Sequence, residues 1–115
     1  MEDIKTLIEQ SQSEMRRGLI ILSTLALLKK PHYGYSLIQT LEDKGMPIEG
    51  NTLYPLLRRL EKKGMLKSEW EVDSSKPRKY YQITDLGKNV LENLIQTWDE
   101  STQSMKAIIG GYENE

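Results

Sequence analysis

The chain has 115 residues, a formal net charge of -1, 37 % hydrophobic and 29 % charged residues, which suits one domain with a modest core. It has no Cys and one His, so disulfides, thiolate nucleophiles, Cys/His zinc sites and Ser-His-Asp triads lack raw material, and no enzymatic, metal or cofactor chemistry is expected. The longest apolar run, Gly18 to Leu28, holds 11 residues against the roughly 20 that cross a bilayer; the start Met1-Glu2-Asp3-Ile4-Lys5 lacks the basic and apolar regions of a secretory signal, so no membrane contact and a cytoplasmic location are expected.

Ile4, Leu7 and Ile8 give the N-terminal segment an apolar edge, either as a separate short helix or as part of the next one. Ser11-Gln12-Ser13-Glu14 matches a capping box, so a helix is expected to begin or restart there. Met15, Leu19, Leu22 and Ala26 follow at spacings of three and four, with Ile20, Ile21, Leu25, Leu27 and Leu28 widening the stripe until Pro31. A helix apolar on more than one face packs both inward and against something else.

Leu37, Ile38 and Leu41 predict a second helix from Tyr35 to Lys44, stopped by Gly45. A third, from about Asn51 to Lys63 with Gly64 as its stop, carries Leu53, Leu56, Leu57 and Leu60 on one side and Pro55 in or just past its first turn. After Met65 the period falls to two: Leu66, Ser68, Trp70 and Val72 share one face, and Lys67, Glu69 and Glu71 the other. Asp73-Ser74-Ser75-Lys76-Pro77 reads as a turn, and Lys79, Tyr81 and Ile83 alternate with Tyr80, Gln82 and Thr84 along the return strand, with Tyr81 inward as core. Thr84 can cap a long last helix from Asp85.

The implied fold is mainly α with a two-stranded β-wing. A winged helix-turn-helix occupies 11–84, a C-terminal dimerisation helix 85–110 packs with the N-terminal helix within 1–29, and 111–115 form a tail.

Charge is distributed unevenly. Residues 29–88 hold 12 Lys/Arg against 8 Asp/Glu, a net +4, whereas both flanks are net acidic. On the third helix, opposite its leucines, stand Asn51, Pro55, Arg58 and Lys62, with Thr52 and Arg59 on the flank. A helix fits the major groove, where Asn pairs adenine edges, Arg reads guanine, and Lys and Thr hold phosphates. Lys76, Arg78 and Lys79 put three cations on the hairpin, where they can straddle a phosphate backbone. The plainer alternatives are a solvated helix face and a solubilising loop, or a winged-helix module that binds protein through its third helix; the basic middle favours double-stranded DNA.

Gly34-Tyr35-Ser36-Leu37-Ile38, Thr52-Leu53-Tyr54-Pro55-Leu56-Leu57-Arg58-Arg59-Leu60-Glu61 with Gly64, Ser68-Glu69-Trp70-Glu71, Pro77-Arg78-Lys79-Tyr80-Tyr81 and Thr84 to Gly87, in unbroken order over about 17–98, resemble the PadR family of bacterial transcriptional regulators. The resemblance implies a homodimeric winged-helix repressor on an inverted-repeat operator, of the branch with a single C-terminal helix. By position it implies DNA contacts at Tyr35 and Ser36, at Asn51, Thr52 and Tyr54, and at Lys76, Arg78 and Lys79. Ser36 departs from the acidic residue common at its place, and Tyr54 also reads as packing.

Leu91, Trp98 and Met105 are seven apart, with Leu94 and Ile108 near the alternate positions, a seam longer than one small domain covers. A homodimer through Leu19, Leu22, Leu91, Leu94, Trp98, Met105 and Ile108 is expected, and its two-fold axis suits a palindromic site. The chain also resembles the multidrug-sensing branch, in which paired tryptophans sandwich planar aromatic compounds; this implies an effector site at Met15, Leu19, Leu22, Leu94 and Trp98. The alternative is that Trp98 fills the dimer core. His32 reads as a polar loop residue without a role.

Overall fold

The computed structural model describes residues 3–72 and 75–113. Asp73 and Ser74 of the expected turn, and residues 114 and 115 of the expected tail, lie outside the described residues. The order is α1 (Ile4–Leu27), β1 (His32–Tyr33), α2 (Gly34–Asp43), α3 (Gly50–Lys62), β2 (Leu66–Glu71), β3 (Arg78–Ile83) and α4 (Asp85–Glu113).

The expected break at Ser11 is absent. α1 is one helix whose cap is Asp3, its carboxylate accepting from the Thr6 amide at 2.8 Å. Ser11 therefore sits inside the helix, where amides are already bonded four residues back, and a capping box has no orphan donors to satisfy. The sheet has three strands in the order β1-β3-β2, with His32 opposite Tyr81 and Tyr33 opposite Tyr80. Two residues carry no period, so β1 left no trace in the sequence pattern. α4 passes through Gly110 and Gly111 to Glu113, so the expected tail is helical as far as that residue.

α2 and α3 end alike. Gly45 (φ 87°) and Gly64 (φ 82°) take the left-handed conformation that only glycine adopts without strain, and the next amides, of Met46 and Met65, return to the carbonyls of Leu41 and Leu60. These stops turn the chain sharply enough to stack α2, α3 and the hairpin around one core. Leu25, Leu28, Leu37, Leu41, Leu53, Leu57 and Leu91 are sealed in it, with Leu66, Tyr81 and Ile83 closing the sheet side. Of the apolar face expected on β2, only Leu66 is buried; Trp70 is 61 % and Val72 72 % exposed, because the hairpin runs out past the core.

Two joints set the position of α4. The Thr84 hydroxyl donates to the Gly64 carbonyl at 2.6 Å and accepts from the Gly87 amide at 3.0 Å, so one side chain caps α4 and ties it to the end of α3. Gly87 lies so close to the Met65 carbonyl oxygen and to Ile83 that a Cβ there would overlap both.

Candidate nucleic-acid interface

With Leu53, Leu56, Leu57 and Leu60 in the core, helical geometry turns Asn51, Thr52, Pro55, Arg58, Arg59 and Lys62 outward, and all are exposed. The helix starts facing the same side differ from the others. α1 and α4 are capped by the Asp3 carboxylate and the Thr84 hydroxyl, whereas neither α2 nor α3 has a side-chain cap. In α3 the Thr52 and Leu53 amides return to the Glu49 carbonyl at 3.0 Å, and the helix dipole at both uncapped starts favours an anion.

Tyr54 joins these two starts. Its ring lies over Gly34, where a Cβ would overlap it, and beside Gly50, where a Cβ would come within 3.2 Å. The packing role weighed for Tyr54 is thus realised, while 37 % of the residue stays exposed. Tyr35 is exposed at the start of α2, and the Ser36 hydroxyl lies 3.2 Å from His32 Nδ1, which gives His32 a local partner. Tyr35, Tyr54, Arg58, Trp70, Arg78 and Lys79 line a concavity of about 390 Å³ between α2, α3 and the hairpin.

The hairpin cations differ in freedom. The Arg78 guanidinium stacks 4.2 Å above the Tyr33 ring, and the Tyr33 hydroxyl donates to Glu71, the cross-strand neighbour of Arg78. Tyr80 meets Tyr33 edge-on and donates to Glu69 at 2.9 Å, a bond to its neutral form that raises its pKa. Lys79 Nζ lies 3.8 Å from Glu61 on α3 and 5.4 Å from the Tyr81 ring centre, while the Ser68 hydroxyl donates to the other Glu61 oxygen. Glu61 therefore ties α3 to the hairpin. It also holds Lys79 back, and with Arg78 stacked on Tyr33 this leaves Arg58 and Lys62 as the more open charges. Lys76 is exposed on the hairpin.

Sequence reasoning did not include Trp70 in the site; the two-residue period only put it on one face with Leu66. It also missed Arg17, which stands with Arg59 at the edge of a second groove between α1 and α3. The signal for Arg17 was present in α1, whose two apolar faces leave it pointing away from α4.

A third groove, of about 280 Å³, brings together Met15, Leu19 and Leu22 of α1 with Leu94 and Trp98 of α4, alongside Gly18, Thr97 and Ser101. Trp98, Met105 and Ile108 are 49 %, 47 % and 65 % exposed. Leu91 does not join them. At 1 % exposure it is spent in the protomer's own core, because α4 at that point still rests on the head, so it is removed from the expected dimer seam. Among the described residues no cluster of metal-ligating side chains occurs, and no helix is long and apolar enough to cross a membrane.

Residues 21–93 match the transcriptional regulator PadR-like family. The chain is similar to a PadR family transcriptional regulator from Eggerthella lenta DSM 2243, at 43 % identity and a TM-score of 0.86 over 91 % of this chain and 94 % of that one. A PadR family transcription regulator from Clostridium difficile R20291 is 31 % identical, with a TM-score of 0.73 over 78 % of this chain and 97 % of that one. An uncharacterised protein of Lysinibacillus sphaericus is 34 % identical over 107 residues, 89 % of this chain and 98 % of the relative. The family match runs from the last two turns of α1 into α4 and takes in α2, α3 and the hairpin, so the chain belongs to the PadR-like family of transcriptional regulators, DNA-binding proteins without enzymatic activity.

Proposed function

We propose that the protein is a homodimeric repressor that binds an inverted repeat, each protomer laying α3 in a major groove with its wing along the backbone. Asn51 and Arg58 read base edges in this reading, and Thr52, Lys62, Lys76, Arg78 and Lys79 hold phosphates together with Tyr35, Ser36 and Tyr54 at the helix starts. Residues 11–84 serve as the reading head, and 85–110 with the N-terminal helix as the dimerisation unit.

The observation that carries the proposal is the pairing of one exposed basic face with one exposed apolar seam. Trp98, Met105, Ile108 and Ile109 stand open along α4. An apolar strip of that length is stable in water when a second copy covers it, and a two-fold pair presents two α3 helices to two half-sites. A genomic-fragment binding selection at about 150 mM salt, followed by footprinting, tests it. The expected result is an enriched inverted repeat with half-sites about one helical turn apart. Binding without sequence preference that disappears with modest added salt would sink the operator reading and favour a protein partner for α3.

The groove between α1 and α4 favours a second element of the proposal, release by a planar aromatic effector. It combines an apolar floor with the half-exposed Trp98 ring, and Asp99 and Glu100 follow on the same helix. In a Trp70→Tyr background, planar cationic dyes are expected to quench Trp98 fluorescence and to weaken operator binding. Unchanged emission across the panel would assign Trp98 to the dimer core.

A further inference from the structure

α1 uses opposite faces for different neighbours. Met15, Leu19 and Leu22 look toward α4, whereas Arg17, Ile20 and Ile21 look toward α3 and line, with Thr52, Leu56 and Arg59, a groove of about 230 Å³. The floor is apolar and two guanidinium side chains stand at its edges, one from each helix. The sole ion pair of Arg17 among the described residues is with Glu14, one turn back at 3.2 Å, where both side chains are largely exposed; such a pair contributes little and opens readily. No carboxylate among the described residues lies within ion-pair distance of Arg59. Two like charges sharing a groove with so little compensation repel unless an anion joins them.

The position of the groove identifies the anion. The wing is fastened to α3 through Glu61, which holds Ser68 and Lys79. At 100° per residue, Glu61 lies on the flank of α3 opposite Thr52 and Arg59, with the exposed Arg58 and Lys62 between. A helix seated in a major groove has a phosphate backbone along each flank. The wing serves one of them. We propose that Arg17 and Arg59, with the Thr52 hydroxyl, clamp a phosphodiester of the other backbone, making α1 a DNA-contacting element as well as a packing one. This rests on the DNA-binding reading above.

The test measures affinity against salt concentration on a mixed-sequence duplex of about 30 bp, for the full chain and for Arg17→Gln, Arg59→Gln and the double variant. Each single variant is expected to weaken binding several-fold at about 150 mM salt and to flatten the slope of log affinity against log salt in part, the double variant by about 0.9 for each clamped phosphate, one per protomer. Arg17→Lys should keep the slope. Arg16→Gln removes the same charge about 100° away around α1 and should change little. On a duplex carrying the preferred sequence, ethylation of the phosphate on the flank of α3 away from the wing should weaken the unsubstituted chain several-fold and change the double variant little. Wild-type slopes in all the variants, or an Arg16→Gln effect equal to that of Arg17→Gln, would overturn the clamp while leaving DNA binding intact. Failure of the unsubstituted chain to bind any duplex would overturn both readings.

Discussion

The winged-helix head and the α1/α4 extension contain similar amounts of apolar side chain and use them in opposite ways. In the head, Leu37, Leu41, Leu53, Leu57, Leu60 and Leu66 are at most 3 % exposed, and the two glycine stops fold three helices and a sheet around them. In the extension, Ile4, Met15, Trp98, Met105 and Ile108 are 75 %, 75 %, 49 %, 47 % and 65 % exposed. The head closes its core with Leu25 from the end of α1 and Leu91 from the start of α4. The extension keeps these side chains exposed within one chain, so under the proposed dimer stability belongs to the head and assembly to the extension.

The largest effect is expected inside the head. Leu57→Ala, at a fully buried position, should cost about 2–5 kcal/mol, read as a lowered midpoint in urea unfolding, without altering the dimerisation constant of the fraction that remains folded. If that constant falls instead, the two regions are not separable. Where they meet, Gly87→Ala forces a methyl against the Met65 carbonyl and Ile83, and should cost about 1–3 kcal/mol in the same measurement.

Trp98→Ala should act the other way. Light scattering at micromolar concentration is expected to return twice the 13.3 kDa of the chain for the wild type, and the variant should dissociate at concentrations about 10 to 1000 times higher than the wild type does. A wild-type mass of one chain would remove the dimer altogether.

Smaller effects are expected at the DNA face. Arg58→Ala should cost about 1–3 kcal/mol on the preferred sequence and far less on random duplex. Equal loss on both would make it a phosphate contact. Lys79→Ala should weaken specific and nonspecific binding alike and reduce the salt slope by at most about one unit, since Glu61 already holds part of that charge.

The smallest effect is a titration. Its bond to Glu69 raises the Tyr80 hydroxyl above the ordinary tyrosine value. A raised value in the folded state means that the neutral hydroxyl supports the hairpin below the unfolded value, and that this support is lost as pH rises through the folded one. Tyr80→Phe should remove this component from the alkaline titration followed by ultraviolet absorbance. A Tyr80 that titrates at the ordinary value would show that the Glu69 bond does not persist in solution.

Element type and order were legible in the residues because periodicity and chain punctuation are local. The leucine spacing of α3, the glycines after α2 and α3, and Thr84 before α4 each act within a few residues, and the structure keeps all of them. The inward Tyr81 was legible for the same reason. What tertiary contact decides was less accessible. Ser11 has the right neighbours for a cap, yet α1 runs through it. Trp70 has the period of a buried residue, but it lies beyond the end of the core. Leu91 fits the seven-residue spacing of the seam, but α4 spends it on the head.

The sequence by itself therefore determined the helices and hairpin, their order, the exposed basic face of α3 and the family they resemble, all consequences of hydrophobic period, turn chemistry and charge along the chain. Only the tertiary structure decided the third strand, the holding of Lys79 by Glu61, the meeting of Arg17 with Arg59 and the length of apolar seam left open. Each of these depends on where an element ends against its neighbours, and distances between residues remote in the chain are set by packing, which no local pattern encodes.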